Sequence, residues 1–598
     1  MEPSSSNKEI RIKGIPASPG IAIGSVLVLS GDSIKVDSNS ITPDQIDAQI
    51  AKLMQAIEKS KIDLIELREK AEQSFGETDA QIFDTHNLML DDDLIIQEAI
   101  KRIRERLETA DNAYFQAVSQ FESYLAHTED EYLRARTSDL VDIKRRVIRH
   151  IQGKPVFSFA LLENPVIVVA QELTPSDTVN FKRDKILASA TELGGRTSHA
   201  AIMSRSLKVP SIVGLGSALQ ALETGDQVIV DGNKGWVIAH PSLQTIAIYE
   251  KQRREFAVYQ AKLGHIRDLP AKTRDGKKIE LSANIEFPEE AQTIGEDGAN
   301  GVGLYRTEYL FLTRKELPSE EEQYREYARI VQIMGDQPII IRTLDVGGDK
   351  LPTSIKIAPE DNPFLGVRGL RLYLPFVDVF KTQLRAILRA SAKGQVRLLL
   401  PMITTVSEIK FCKEILAEVK EDLRRGQIPF EENLPVGATI EVPSAAIIAD
   451  IIAAECDFLS IGTNDLIQYT LAVDRGNENL AYLYQAYNPA ILRLIREVIE
   501  KGHQQTVWVG MCGEMASDPL ATMILIGLGL DEFSVSPISI PLIKEIIRRV
   551  DYTECEGLAE TVLKCQSVEE VKAVLRTILK QKFEDLLYCQ IIAETNQD

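Results

Sequence analysis

The chain lacks an excess of positive charge. Its 598 residues carry 68 Lys and Arg against 88 Asp and Glu, a formal net charge of −20. Binding a nucleic-acid backbone leaves a basic footprint, so DNA and RNA are excluded as the main partner, while a local cationic pocket is not. Cysteine is scarce too: six residues, all from Cys412 onward, with no CxxC pair. That argues against a disulfide scaffold and a zinc site and predicts buried, reduced thiols in a cytoplasmic protein. The longest strongly apolar stretch, Leu520 to Leu530, is too short to span a bilayer, so no membrane insertion is expected. Met1-Glu2-Pro3-Ser4-Ser5-Ser6 is not a basic segment followed by an apolar one, so no secretory leader is expected. A Gly-x4-Gly-Lys-Ser/Thr nucleotide loop is missing. Gly214-Leu215-Gly216 and Gly301-Val302-Gly303 begin like a dinucleotide fingerprint, but Leu219 and Arg306 stand where its third glycine belongs.

What is present has the composition of a soluble globular protein, 44% hydrophobic and 26% charged. The length predicts about three to five domains. Residues 10–30 mix apolar residues with breakers and read as short strands. At Thr42-Pro43-Asp44-Gln45 a capping box opens a helical pattern, with Ile46, Ile50, Leu53, Ile57, Leu64 and Leu67 at helical spacing. The pattern continues to about Gln152 and predicts a helical hairpin or small bundle. Its charge is uneven: 44–98 holds 14 acids and 5 Lys and Arg, while 99–154 holds 9 acids and 11 Lys and Arg. Residues 155–240 read as a compact α/β unit and 241–265 as a charged helical linker. From 279 onward eight apolar runs alternate with helical stretches: 279–285, 301–305, 338–344, 396–402, 436–442, 458–463, 507–511 and 532–535. Eight βα units over roughly 300 residues predict a (β/α)₈ barrel, with its active site at the C-terminal strand ends.

The sharpest local motif is Gly194-Gly195-Arg196-Thr197-Ser198-His199-Ala200. The glycines let backbone approach an anion, Arg196 offers a fork of donors, and a neutral His199 can attack phosphorus and hold a phosphoryl group. On the barrel, Arg306, Arg342, Lys350 and Arg475 are placed to clamp a small, multiply charged anion. Glu441 and Asp465, at the ends of neighbouring predicted strands, are hard oxygen ligands that suit Mg²⁺. Cys512, flanked by glycines in Gly510-Met511-Cys512-Gly513-Glu514, is expected to be an exposed thiol able to move a proton.

Taken in order, these segments resemble enzyme I of the bacterial phosphotransferase system. The likeness runs over nearly the whole chain. It is carried by 194–202, 301–308, 341–350, Asn362-Pro-Phe-Leu-Gly-Val-Arg368, 458–477 and 510–514, with Asp130-Glu-Tyr-Leu-Arg-Ala-Arg136 in the helical region. The resemblance implies a multidomain α/β fold. In it, a swivelling phosphohistidine domain (1–30 and 156–240) carries an inserted helical carrier-binding subdomain (31–155). A linker (241–268) then leads to a phosphoenolpyruvate-binding (β/α)₈ barrel and dimerisation domain (269–598). It implies that phosphoenolpyruvate, bound with Mg²⁺, phosphorylates His199 and that the group passes to an HPr-type phosphocarrier for sugar uptake. Arg306, Arg342, Asn464, Asp465 and Arg475 would meet the substrate, with Lys350 and Arg368 nearby. Glu441 and Asp465 would hold the metal, Cys512 would protonate the enol carbon, and Thr178 would be a hydroxyl partner of His199. A homodimer through the barrel is implied as well.

There are departures. Asp84-Thr85-His86-Asn87 stands where the family has a Glu-Gly-His form, which bears on carrier specificity. Val442-Pro443 follows Glu441 in place of Thr-Pro or Ile-Pro. A dikinase or synthase sharing the histidine domain and barrel would need an ATP-binding domain, which the helical region before 155 does not offer. A non-catalytic regulator is disfavoured by the intact His199, Arg306, Arg342, Glu441, Asp465 and Cys512. The acidic 44–98 block predicts a salt-sensitive attraction for a carrier with a basic patch.

Overall fold

The computed structural model describes the chain apart from residues 1–8, 30–35, 37–38, 76, 127–136, 155–158, 160–161, 163, 175, 178–180, 182–183, 195–200, 202–203, 205–208, 217–221, 313–315, 348–354, 356, 359, 476 and 588–598. The chain divides into two units, 1–257 and 258–598.

In the first unit Thr42 forms the predicted capping box with Gln45, and Pro43 occupies the first turn. The helix Ile46–Phe75 follows. Leu53, Ile57, Leu64 and Leu67 are buried and Ile46 and Ile50 half-buried, so the 3–4 spacing read in the sequence is the face that packs. Helices Glu77–Leu90, Asp93–Arg106, Ala110–Ala126 and Thr137–Ile151 share that core. Asp92 caps the helix Asp93–Arg106, its carboxylate accepting from the Leu94 N–H at 2.8 Å. This bundle is inserted into an eight-stranded sheet. The strands are β1 (Ile10–Lys13), β2 (Ile15–Ser18), β3 (Ile21–Leu29), β4 (Val166–Ala170), β5 (Ile186–Thr191), β6 (Ser211–Val213), β7 (Gln227–Asp231) and β8 (Trp236–Ala239). They lie in the order β1-β8-β7-β3-β4-β5-β6-β2, so β3 before the bundle pairs in parallel with β4 after it. The helix Leu243–Gly264 covers the predicted linker.

The second unit is a closed parallel barrel of β9 (Glu280–Ile285), β10 (Val302–Tyr305), β11 (Ile339–Arg342), β12 (Val396–Leu400), β13 (Val436–Ile440), β14 (Phe458–Ile461), β15 (Trp508–Met511) and β16 (Glu532–Val535). All eight predicted runs are its strands. Four runs, 338–344, 396–402, 436–442 and 458–463, were carried two residues past the strand ends, and in the last two a helix begins there. Val442 is the N-cap of a helix begun by Pro443, whose fixed φ suits a first turn, and Thr463 already belongs to the helix Thr463–Leu471. Most strand side chains pack with the enclosing helices in one large apolar core, while Leu304, Ile340, Leu399, Phe458 and Cys512 form a separate smaller cluster.

Candidate active site

The C-terminal strand ends gather opposite charges in a buried setting. Arg342, the last residue of β11, donates to Glu308 Oε1 at 2.9 Å and lies 3.2 Å from Asp345 Oδ2. Its Nε is buried without a hydrogen-bond partner. Arg368 forks two ways. Its Nη1 and Nη2 reach Asp465 Oδ1 and Oδ2 at 2.8 and 2.9 Å, and its Nε and Nη2 reach Asp345 Oδ1 and Oδ2 at 3.2 Å. This planar, doubly bidentate pairing is specific to a guanidinium. Glu441, just past β13, accepts from the Met402 N–H at 2.6 Å. Gly462 leaves room for it: a Cβ there would lie 2.6 Å from Glu441 Oε2.

Asp345, Glu441 and Asp465 are all buried, and one carboxylate oxygen from each lies within 4.8 Å of the others. Burial and the neighbouring carboxylates of Asp345 and Asp465 push the Glu441 carboxyl well above its ordinary range, against the pull of Arg342 and Arg368. Burial also pushes Asp345 up, but the guanidiniums of Arg342 and Arg368 outweigh it and hold its carboxyl low. Three crowded carboxylates with hard oxygens, one short of compensating charge, fit a divalent cation such as Mg²⁺.

Around this centre, Arg306 follows β10 and is about one-third exposed, with Nη1 2.6 Å from Glu286 Oε1. Asn464 exchanges hydrogen bonds with Glu514, accepting from its N–H at 2.9 Å and donating to Oε1 at 3.3 Å. Arg475 is exposed, and its charge helps hold Asp345 low.

Cys512 corrects the expectation of an exposed thiol. The residue is 4% exposed, and burial pushes the thiol up to about 11. The neighbouring glycine does not open space around it. Gly513 packs so tightly on Thr463 that a Cβ would meet its backbone nitrogen at 2.5 Å. Asp465 does not end a strand; it sits in the first turn of the helix Thr463–Leu471. Arg368, expected beside the site, is at its centre. Asp345, Glu308 and Glu286 were not singled out in the sequence. Only Asp345 and Glu308 lie within segments that carried the resemblance, and no spacing marks them among 88 acids. His199, Arg196, Thr178 and Lys350 lie outside the described residues, as does the 130–136 segment.

Comparison with known proteins finds matches along nearly the whole chain. The PEP-binding domain of PEP-utilising enzymes matches residues 260–552, their N-terminal domain 13–136 and their mobile domain 162–235. Among curated proteins, a phosphoenolpyruvate-protein phosphotransferase of Priestia megaterium is 43% identical over 94% of this chain and 97% of its own length. Those of Staphylococcus aureus and Listeria monocytogenes are each 42% identical, covering 95% and 94% of this chain and 99% and 98% of their own.

Proposed function

On the premise that this chain belongs to the enzyme I family of PEP-utilising enzymes, the phosphoenolpyruvate-protein phosphotransferases, we propose that it phosphorylates His199 from phosphoenolpyruvate and passes the group to an HPr-type histidine phosphocarrier serving sugar uptake. The observation that carries this reading is the buried cluster of Arg342, Arg368, Asp345, Glu441 and Asp465 at the barrel's C-terminal strand ends.

Phosphoenolpyruvate is a trianion, so its reaction needs charge neutralisation and in-line positioning more than covalent chemistry. Arg306 and Arg342, at the ends of adjacent strands, supply guanidinium forks for its phosphoryl and carboxylate oxygens. Asn464 and Arg475 extend the clamp, Arg368 stands at its centre, and Lys350 would add a further cation. Glu441 and Asp465 would hold Mg²⁺, which supplies charge neutralisation at substrate oxygens when bound. A neutral imidazole nitrogen of His199 attacks phosphorus; the N–P bond forms as the P–O bond to enolpyruvate breaks. The enolate then takes a proton at C3 from Cys512 Sγ, giving pyruvate, and the thiolate regains its proton from solvent. A thiol raised to about 11 holds that proton at neutral pH until the enolate, a stronger base, is present. Arg196 would neutralise the charge created on phosphohistidine, and Thr178 would serve as a hydroxyl partner of His199.

The domain division follows the same reading: a phosphohistidine domain of 1–30 and 156–240, a carrier-binding insert of 31–155, a linker of 241–268 and a barrel of 269–598. One histidine that meets two partners calls for a mobile domain, and the helical linker suits that need. The acidic 44–98 stretch suits a carrier with a basic patch. A homodimer through the barrel unit belongs to the same reading. Among the described residues no helix is long and apolar enough to cross a membrane, which fits a cytoplasmic enzyme.

The test is labelling with ³²P-phosphoenolpyruvate and Mg²⁺, followed by addition of carrier. Acid-labile label should appear on the protein, move to the carrier, and be absent in His199→Ala. Label that appears only with ATP as donor, or that persists in His199→Ala, would overturn the assignment.

A further inference from the structure

Behind the arginine-bearing strand ends lies a buried polar hub that the reaction scheme leaves unused. Gln383 sits on the helix Val377–Ser391, whose neighbouring buried positions are Phe380, Leu384, Ala386, Ile387 and Leu388. The residue is fully buried, in a place where packing alone would favour Leu or Met. All four hydrogen-bonding valences of its amide are filled. Oε1 accepts from the Leu344 N–H at 3.0 Å and from the Tyr373 hydroxyl at 2.8 Å. Nε2 donates to Thr307 Oγ1 and to the Tyr327 hydroxyl, each at 3.2 Å. The direction is unambiguous, because a backbone N–H only donates and so Oε1 must face Leu344. Having accepted from Gln383, Thr307 Oγ1 passes its own hydrogen to the Arg342 carbonyl at 2.9 Å. Tyr327 likewise passes its hydrogen to Gln323 Oε1 at 3.2 Å, and Gln323 donates to the Pro318 carbonyl at 3.0 Å.

The two sides of this amide therefore hold two different loops. Thr307 is the residue after Arg306 and before Glu308, at the exit of β10. Leu344 lies between Arg342 and Asp345, at the exit of β11. We propose that Gln383 is a positioning residue for phosphoenolpyruvate, locking the β10 exit to the β11 exit so that Arg306 and Arg342 stand at a fixed spacing. The inference rests on the reading that these arginines bind the substrate. A clamp for a small trianion depends on that spacing, and a shift of about 1 Å far from the reacting atoms costs up to about 100-fold in rate. A fully satisfied buried network is rigid, whereas losing one member strands the others without partners.

The experiment measures KM and kcat for phosphoenolpyruvate, with melting temperature, in Gln383→Met, Thr307→Val and Thr307→Ser. Met keeps the length of Gln without its hydrogen bonds; Val keeps the shape of Thr without its hydroxyl. Ile546→Val and Ile546→Ala, in the buried face of the helix Ile540–Arg549, bracket the loss of stability away from the site. Gln383→Met and Thr307→Val should each raise KM about tenfold, the double variant should raise it little more than either alone, and Thr307→Ser should stay near wild type. A KM within twofold of wild type in both Gln383→Met and Thr307→Val overturns the inference, as does an equal rise in the Ile546 variants. If Arg342→Met also leaves KM unchanged, the assignment of the arginines has failed and this inference falls with it. If Arg342→Met raises KM while Gln383→Met and Thr307→Val do not, only the positioning role is lost.

Discussion

The two ends of the barrel are built from the same eight strands and carry opposite chemistry. At the C-terminal end, arginines and carboxylates crowd together, with an Arg342 Nε that finds no partner and a Glu441 held out of its ordinary range. At the N-terminal end, Phe458 and Trp508, the first residues of β14 and β15, stack at 4.8 Å and 5°, and Arg397 lies over the Trp508 ring. Glu532 is buried in that end and occupies the space that the missing side chain of Gly510 leaves, 2.4 Å from where a Cβ would stand. One end sets aside local stability for charge; the other is packed. Substitutions at the two ends should therefore separate rate from stability.

The largest separation is expected at Arg342. Arg342→Met should lower phosphoenolpyruvate-dependent phosphorylation about 1,000-fold, the scale of removing an arginine from a phosphoryl-transfer site. Rapid-quench labelling reads it directly. Phe458→Ala should do the converse. It should cost about 3–5 kcal/mol in denaturant unfolding while the folded fraction keeps its turnover. A Phe458→Ala enzyme that is stable but inactive would erase the distinction between the ends.

Cys512 sharpens it, because the thiol is buried yet assigned to chemistry. Cys512→Ala should lower pyruvate formation about 100-fold while phosphoenolpyruvate affinity changes little. Unchanged turnover would remove the thiol from the mechanism. The smallest effect is expected at Glu532. Burial raises its carboxyl from the ordinary 4.5 to about 7 in the folded chain. The charged form is therefore disfavoured by folding, and the wild type loses stability as pH rises from about 4.5 to about 7. Gln does not titrate. The melting advantage of Glu532→Gln over wild type should grow across that window and level off above it; a gap that narrows with rising pH would contradict the assignment.

Much of this was legible in the sequence, for identifiable reasons. Parallel strands buried on both faces read as apolar runs, so all eight were visible, and chemistry-bearing residues stood out where those runs stopped. Arg306, Arg342 and Glu441 were found in that way. The run beginning at Phe458 was carried to Thr463, which misplaced Asp465 at a strand end. Gly462 is the N-cap of the helix that carries Asp465, and its small size admits the Glu441 carboxylate. Cys512 was misread because flanking glycines signal either open space or close packing, and here they mark close packing. Gln383 and Asp345 left no signature. A single polar residue on an otherwise apolar helix face, and one acid among many, acquire meaning only from what they touch.

The central claim is that phosphoenolpyruvate binds at the C-terminal strand ends, and equilibrium titration of the full chain with phosphoenolpyruvate in the His199→Ala background tests it most directly. Arg306→Met removes a guanidinium that is one-third exposed and paired only with Glu286 among the described ion pairs, so its folding cost should be small. The account predicts affinity reduced at least about tenfold, the scale of one lost charge-assisted hydrogen bond, with the melting temperature near that of the parent. Wild-type affinity in Arg306→Met, with the same loss produced instead by Arg397→Met at the opposite end, would contradict it.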